Sequence, residues 1–323
     1  MTRFRLRAAM LIAACVLLVT PSARAADKIV TGMVGGPTGT MWLYYVGIDE
    51  GFFAKHGIEL DFVFAPSAPG ILQQLTAGSL DIVGTTGVVE PIHAVDKGAP
   101  VAIARIIGQN APYGLDAASS IGSIKDLKGK TVALGGLADI TAIYFNRMAA
   151  ANGLKPGDVD IIVIGATAGR YAALKSGTVA ASMLMTPFNF QAEAGGFRNV
   201  GLVYDYVKDY PFTGLEVSKS WGSSHIEVAK RLLTALDESA AWFYVPENRD
   251  ALIKMGVKNF SISEDESGQS LDYMRKIKFF APTSKVSRKG LEILTKVMRD
   301  SGDVTNPLTP EQLTLPGLTE LTE

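Results

Sequence analysis

The sequence is nearly free of cysteine, since Cys15 is the single residue of this type in 323. We expect Cys15 to be lost with an N-terminal leader. A mature chain without cysteine can form no disulfide framework, no thiolate metal site and no cysteine nucleophile. The three histidines, His56, His93 and His225, have no metal-ligand spacing. We therefore expect no metal and no cofactor, and we interpret the histidines as surface or packing residues.

A basic surface is also lacking. The chain has 31 basic and 32 acidic residues, and the leader removes four arginines but no acid. The mature chain would then carry 27 basic residues and a net charge of −5. Nucleic-acid binding calls for a basic face, so we expect no nucleic-acid partner. With 47% hydrophobic residues the chain can bury a large core, and its length suggests about two domains.

Catalytic motifs are missing as well. The sequence contains no Gly-x-Ser-x-Gly elbow, no His-Glu-x-x-His and no P-loop. Residues 36–39 and 135–136 are rich in glycine, but neither stretch has the spacing of the dinucleotide fingerprint or of the P-loop. We therefore expect no catalytic residues and no enzyme activity.

The N-terminus has the features of a secretory signal peptide. Three arginines in residues 1–7 precede an apolar run over residues 8–19, and the small-residue pattern Ala23-Arg24-Ala25 follows. This order is typical of an exported leader, and the apolar run is shorter than the ~20 residues that span a bilayer. We predict cleavage after Ala25 and a periplasmic location. The alternatives are a membrane anchor and lipid attachment at Cys15.

The chain repeats one pattern twice, over residues 28–86 and 130–186. Each pass has a strand, a Gly-Gly loop and a helical stretch, which is Trp42–Lys55 in the first and Ile140–Asn152 in the second. A second strand, a second helix and a third strand follow. Strands alternating with helices at this spacing predict a parallel sheet with helices on both faces. Two such units predict two α/β lobes.

The boundaries of the lobes follow from this repeat. We predict that residues 26–112 and 209–323 form a discontinuous lobe I and that residues 113–208 form lobe II. The chain would cross between the lobes near residues 108–118 and 205–218, and these two crossings would act as a hinge. We expect the last 20 or so residues, which contain three prolines, to be a surface tail.

Five segments together resemble a known family, although each motif alone is weak. They are Tyr45–Leu60, Leu75–Val83, Lys97–Val101, Ile124–Val132 and Leu174–Ala181. Their order resembles the nitrate/sulfonate/bicarbonate (taurine-type) solute-binding proteins of ABC importers, a group similar also to binders of the thiamine pyrimidine precursor. The resemblance implies the type II periplasmic-binding-protein fold, in which two doubly wound sheets are joined by a two-strand hinge and a ligand binds in the cleft.

One segment departs from this family. The loop over residues 35–42 is richer in glycine and threonine than expected for sulfonate binders, and it resembles the binding proteins of one class of TRAP transporters. The importer class and the identity of the ligand therefore stay open.

The fold class places the candidate ligand-binding residues. In open α/β sheets ligands bind beyond the carboxyl ends of the strands, where helix N-termini offer unpaired N–H donors. This rule gives two facing sets of loops, one in each lobe. The alternative is that glycine and threonine in these loops only cap the helices that follow. The predicted ligand-binding residues are Gly36, Thr38, Gly39, Thr40, Trp42, Ser67, Thr85 and Thr86 in lobe I, Gly136, Asp139, Thr141, Thr167, Arg170, Thr186 and Phe188 in lobe II, and Tyr210 in the second crossing.

Arg170 is the one full positive charge among these residues. We expect it to be an exposed loop residue that binds a ligand carboxylate or sulfonate in bidentate fashion. The alternative is an ion pair with Asp139. Trp42, Phe188 and Tyr210 would form an apolar wall, unless they belong to the core.

The sequence thus predicts a monomeric solute-binding subunit of an ABC importer. Its partners would be a membrane permease and a small organic solute, which we expect to be an anion such as a sulfonate or carboxylate, with an aromatic solute as an alternative. Two alternatives are a TRAP-type binding protein and an enzyme or sensor module on the same fold.

Overall fold

The computed structural model describes residues 25–323. The predicted signal peptide up to Arg24, the membrane-anchor alternative and Cys15 with its lipobox lie outside the described residues. Within residues 25–323, no helix combines the length and the apolar character needed to cross a bilayer.

Twelve strands occur in the described part of the chain. They are β1 (Asp27–Val34), β2 (Ile58–Ala65), β3 (Ile82–Gly87), β4 (Val101–Gly108), β5 (Tyr113–Ala117), β6 (Thr131–Leu134), β7 (Asp160–Val163), β8 (Ala181–Met185), β9 (Arg198–Leu202), β10 (Thr213–Ser218), β11 (Val286–Ser287) and β12 (Leu321–Thr322).

Fourteen α-helices occur in the same residues. They are α1 (Trp42–Asp49), α2 (Phe52–Lys55), α3 (Ala68–Thr76), α4 (Val89–Asp96), α5 (Ile140–Ala151), α6 (Thr167–Lys175), α7 (Phe188–Ala194), α8 (Val203–Tyr206), α9 (Lys219–Ser224), α10 (Ile226–Tyr244), α11 (Arg249–Phe260), α12 (Glu264–Lys276), α13 (Arg288–Asp300) and α14 (Pro310–Leu313).

The two large sheets have the same design. The first has the strand order β2-β1-β3-β10-β4 and the second has the order β7-β6-β8-β5-β9. In the first sheet β1 pairs in parallel with β2 and β3, while β10 runs antiparallel to β3 and β4. In the second sheet β6 pairs in parallel with β7 and β8, while β5 runs antiparallel to β8 and β9. The internal repeat and the two-lobed α/β fold class are thereby confirmed.

The chain passes twice between the sheets, from β4 to β5 and from β9 to β10. All strands of the second sheet lie between Tyr113 and Leu202, inside the segment predicted as lobe II. The exact limits 26–112, 113–208 and 209–323 stay predictions. We call the units around the two sheets lobe I and lobe II below.

Long helices late in the chain cover lobe I. The helix α10 buries apolar residues at helical spacing, among them Leu232, Leu236 and Phe243, because positions three and four apart share one face. This face lies against α1, where Phe243 contacts Trp42 with ring centroids 6.0 Å apart. Each large side chain buried in this way contributes about 1.5–3 kcal/mol.

Two local predictions are corrected. The helix expected over Trp42–Lys55 is interrupted at Gly51, whose φ of +74° lies in the left-handed region that a helix cannot contain. The C-terminal segment is not a surface tail, since Leu313 and Leu315 are buried and β12 pairs with β11. A row of prolines signals a lack of regular helix, but it does not exclude packing of the leucines between them.

Candidate functional site

A cavity of about 540 Å³ lies between the two lobes. Its walls come from residues that follow β1, β2 and β3 in lobe I and β6, β7 and β8 in lobe II. These are the carboxyl ends of the parallel strands, where the strand order reverses on either side of β1 and of β6 and leaves a crevice. The volume is in the range of small-molecule pockets.

Most of the predicted ligand-binding residues line this cavity. From lobe I they are Gly36, Thr38, Thr40, Ser67, Thr85 and Thr86, and from lobe II they are Gly136, Asp139, Thr141, Thr167, Arg170 and Phe188. The structure therefore brings these residues together, although their contact with a ligand stays a prediction.

Hydroxyl groups line the lobe I wall. The hydroxyls of Thr38 and Thr40 lie 2.9 Å apart and share a hydrogen bond. Ser67 precedes α3, and its Oγ accepts a long hydrogen bond of 3.4 Å from the Gly70 amide. The N-termini of α3 and α4 open on the cavity at Ala68 and next to Gly87, so backbone donors and side-chain hydroxyls face the same space.

The lobe II wall is built around the N-terminus of α5. Asp139 caps this helix, because its Oδ1 accepts hydrogen bonds from the amides of Thr141 at 2.9 Å and Ala142 at 3.2 Å. The Thr141 hydroxyl donates to the same oxygen and accepts from the Gly135 amide at 2.8 Å. Burial raises the pKa of Asp139, while these hydrogen bonds and the charge of Arg170 lower it.

Arg170 differs from the prediction, because it is buried and only 1% exposed. Its Nε donates to the Met183 carbonyl at 2.7 Å, and its Nη1 donates to the carbonyls of Ile164 at 3.1 Å and Gly165 at 2.5 Å. Its Nη2 donates to Thr167 Oγ1 at 2.9 Å. Four of the five N–H donors of the guanidinium are thus used within lobe II. The prediction of an exposed loop arginine is wrong.

Two further side chains, those of Tyr113 and Asp139, lie near Arg170. The Tyr113 phenol lies near the guanidinium, whose charge opposes the rise that burial causes in the pKa of Tyr113. Asp139 feels the charge of Arg170, but the hydrogen bonds of the guanidinium go to carbonyls and to Thr167. Arg170 therefore stabilises the loop after β7 through its hydrogen bonds.

Two predicted residues of the first loop lie outside the cavity lining. Trp42 is completely buried, its ring meets Phe260 edge-on at 5.0 Å, and its Nε1 donates to the Leu252 carbonyl at 3.2 Å. Gly39 packs against Met274, whose Sδ lies 2.9 Å from the point where a Cβ would stand. Both belong to the contact between α1 and the late helices. The apolar-wall role of Trp42 is corrected to a core role.

Thr186 and Tyr210 also lie outside the cavity lining. Thr186 is buried, and its hydroxyl donates to Asn189 Oδ1 at 3.0 Å. Tyr210 is 4% exposed and stacks on Tyr144 at a centroid distance of 6.2 Å. Both side chains stabilise the connections around β5 and β10. Of the three aromatic residues predicted for the wall, Phe188 lines the cavity.

Sequence analysis missed Glu90 and the aromatic pair Tyr113 and Phe212, all of which line the cavity. Tyr113 and Phe212 lie at the two crossings between the lobes, with ring centroids 5.5 Å apart. Glu90 is the second residue of α4, three residues after the end of β3. An acid so close to the predicted residues Thr85 and Thr86 is the signal that could have identified it.

Burial is the largest cause of the raised pKa values of the acidic residues in and beside the cavity. It raises the pKa of Glu90 to about 8, and the negative charge of Asp139 adds to this shift. The pKa of Glu216, a buried residue of β10, is also raised by burial and by the charge of Glu90. His93 lines the cavity as well, and burial lowers its pKa.

The described residues contain no group of three or more histidine, cysteine, aspartate or glutamate side chains that could hold a metal ion.

A family model described as "NMT1/THI5 like" matches residues 40–248, which is more than half of the chain. No curated protein matches the sequence.

Several solved structures share the fold. The periplasmic aliphatic sulphonate binding protein SsuA from Escherichia coli has 18% identity and a TM-score of 0.72, over 91% of this chain and 99% of that one. The ligand-binding component of an ABC-type import system from Staphylococcus aureus has 14% identity and a TM-score of 0.75, over 90% and 97%. The desulfurization enzyme DSZB has 16% identity and a TM-score of 0.68, over 90% and 97%.

Proposed function

The chain belongs to the NMT1/THI5-like family, and on this premise we propose that it is a periplasmic solute-binding protein that delivers a small organic molecule to a membrane importer. The observation that carries the proposal is the cavity of about 540 Å³ that both lobes line with corresponding loops. A solute held in this place would contact both lobes at once, which is the requirement for binding coupled to lobe closure.

The lining suits a solute with one apolar and one polar part. Val34, Val163, Met185, Phe188 and Phe212 supply apolar surface. The threonine hydroxyls and the N-termini of α3, α4 and α6 supply hydrogen-bond donors. Such a division is usual in small-molecule pockets, where a few polar groups fix the orientation of the ligand.

The importer class and the location are part of the proposal. Proteins with this fold include a periplasmic sulphonate binder and a component of an ABC-type import system. We therefore propose an ABC permease as the membrane partner, a periplasmic location after cleavage behind Ala25, and a monomeric protein. The expectation of an anionic solute came from the helix N-termini and from Arg170, and the donors of Arg170 are largely committed to carbonyls.

The test is isolation of the exported protein with its solute. Mass spectrometry of the gently isolated and then denatured protein should release one small molecule in near-stoichiometric amount. Adding that molecule to the emptied protein should raise the melting temperature, since a ligand at 100 times its Kd stabilises by about 2.7 kcal/mol. A protein that retains no solute and is stabilised by no fraction of a cell extract would refute the proposal.

One observation favours a second candidate, an enzyme on the same fold. The desulfurization enzyme DSZB shares the architecture, and Glu90, with a pKa of about 8, could act as a general base. The two candidates differ in the fate of the solute. A binding protein returns it unchanged after long incubation, whereas an enzyme returns a product.

A further inference from the structure

A carboxyl oxygen without a partner is buried in the wall of the cavity. Oε2 of Glu90 is shielded from solvent and has no hydrogen-bond partner among residues 25–323, and Glu90 lines the cavity. Buried polar atoms are nearly always hydrogen-bonded, and one that is left without a partner costs about 1–3 kcal/mol. Oε2 of Glu90 therefore lacks the hydrogen bond that a buried oxygen normally makes.

No positive side chain among the described residues pairs with the Glu90 carboxyl group. The lining contains no lysine between residues 25 and 323, and the guanidinium of Arg170 is occupied by carbonyls of lobe II. His93 is on the same helix, but burial lowers its pKa and favours the neutral ring. The Glu90 carboxyl interacts with its own backbone amide, which leaves Oε2 free.

The other groups around Glu90 are acidic or uncharged at neutral pH. Asp139 faces it from the start of α5, and Glu216 faces it from β10. The phenols of Tyr113 on β5 and Tyr144 on α5 also feel its charge, and burial raises the pKa of both. The described groups that face Glu90 are thus acids and phenols, and none of them is a cation that would repel a positive guest.

The position of Glu90 places this environment between the lobes. Its Oε2 lies 2.6 Å from the point where a Cβ on Gly87 would stand, and Ile140 Cγ2 of lobe II lies 3.2 Å from the same point. Gly87 thus leaves room for the carboxyl group next to the N-terminus of α5. A donor group on the solute could reach Glu90 of lobe I and Asp139 of lobe II together.

We propose that Glu90 is the specificity-determining residue of the cavity and that it selects solutes bearing a basic nitrogen, an ammonium or amidinium group, through a charge-assisted hydrogen bond. The inference depends on the proposed binding function and gives it a ligand class. A sulfonate or carboxylate offers no donor to Oε2 and would oppose ionisation of Glu90, so we expect a solute that is only anionic to bind less well than a cation.

Binding of such a cation involves one proton. Burial and the charge of Asp139 raise the pKa of Glu90 to about 8 in the ligand-free protein, so near pH 7 the group is largely protonated. The cation favours the carboxylate, and binding therefore releases this proton to the solvent. Affinity should rise with pH up to about 8 and should fall about tenfold per pH unit below it.

The experiment uses a matched panel of ligands. Benzyl and butyl skeletons each carry an ammonium, amidinium, hydroxyl, carboxylate or sulfonate group, and binding to the emptied protein is measured by thermal shift and calorimetry. We expect the ammonium or amidinium members to bind. The variant Glu90→Gln, which keeps the size of the side chain, should weaken their binding about ten- to hundredfold and abolish its pH dependence between pH 6 and 8.

Glu227→Gln is the matched control, because Glu227 is also the second residue of a helix but lies exposed on α10. It should change neither affinity nor pH profile. A ligand-free measurement checks whether Glu90→Gln folds. The wild type should lose stability as the pH rises from 4.5 towards 8, because only the folded state then retains the proton, and the Gln variant should lack this part of the loss.

The outcomes separate the inference from the proposed function. Binding of anionic or neutral members without the cations would overturn the inference and leave the binding function intact. Binding of no member, together with no solute in the isolated protein, would overturn both. Cation binding that Glu90→Gln leaves unchanged would show that another group provides the specificity.

Discussion

Replacing Arg170 by methionine should destabilise the protein more than it affects ligand binding. Methionine keeps an unbranched apolar stem but removes every donor. The carbonyls of Met183, Ile164 and Gly165 and the Thr167 hydroxyl would lose their partner. A buried acceptor left without a donor costs about 1–3 kcal/mol, and such costs do not add fully, so we expect a loss of about 3–5 kcal/mol.

Arg147→Met is the matched control for this measurement. Arg147 forms an ion pair with Asp209 at 3.0 Å, and both side chains are 38% exposed. Exposed pairs of this kind contribute about 0–1 kcal/mol. Urea unfolding of the wild type and both variants gives the free energies, and calorimetry with the strongest ligand of the panel gives Kd. A loss below about 1 kcal/mol in Arg170→Met, combined with a large rise in Kd, would refute the structural role and restore the anion-binding role.

Three other predictions concern single positions. Trp42→Ala should cost about 3–5 kcal/mol of stability, because the ring fills the space beside Phe243 and Phe260, while ligand affinity measured by calorimetry at a temperature where the variant is folded should stay unchanged. Asp139→Ala should cost about 0.5–2 kcal/mol by removing the cap of α5, measured by urea unfolding, and should weaken binding of the benzylammonium probe. N-terminal sequencing of the exported protein should begin at Ala26, and a lipidated N-terminus would show that cleavage occurs elsewhere.

The architecture could be predicted because its signals are local and occur twice. The alternation of apolar strands with helical stretches is visible over residues 28–86 and 130–186, and the helix predicted over Ile140–Asn152 is α5 within one residue at its C-terminal end. Parallel pairing follows from the spacing of these elements alone. The packing of the C-terminal leucines could not be predicted in this way, since the pairing of β12 with β11 joins segments 35 residues apart.

In the candidate site, too, the features that local sequence determines could be predicted, and those that depend on distant residues could not. Loops at the carboxyl ends of strands could be assigned to the cavity from the order of elements, and twelve of the sixteen predicted residues line it. The role of a side chain within such a loop depends on distant neighbours. Trp42 begins a helix, but its ring turns to Leu252 on α11, a contact between residues 210 positions apart that no local pattern contains.

Two charged residues of the cavity, Arg170 and Glu90, show that contacts with distant residues also affect which ligand is expected. In the sequence Arg170 is the conspicuous cation and Glu90 an ordinary acid in a helix, so the pattern favours an anionic ligand. In the fold, the guanidinium already donates to three carbonyls and a hydroxyl of its own lobe, whereas Oε2 of the acid is buried beside the cavity without a hydrogen-bond partner among residues 25–323. A ligand interacts with the hydrogen-bonding capacity that folding leaves unused, and here that capacity includes an acidic oxygen that the sequence pattern did not indicate. The sign of the charge a binding protein selects therefore depends on which charged groups the fold has already satisfied, and this can be determined only when their partners are known.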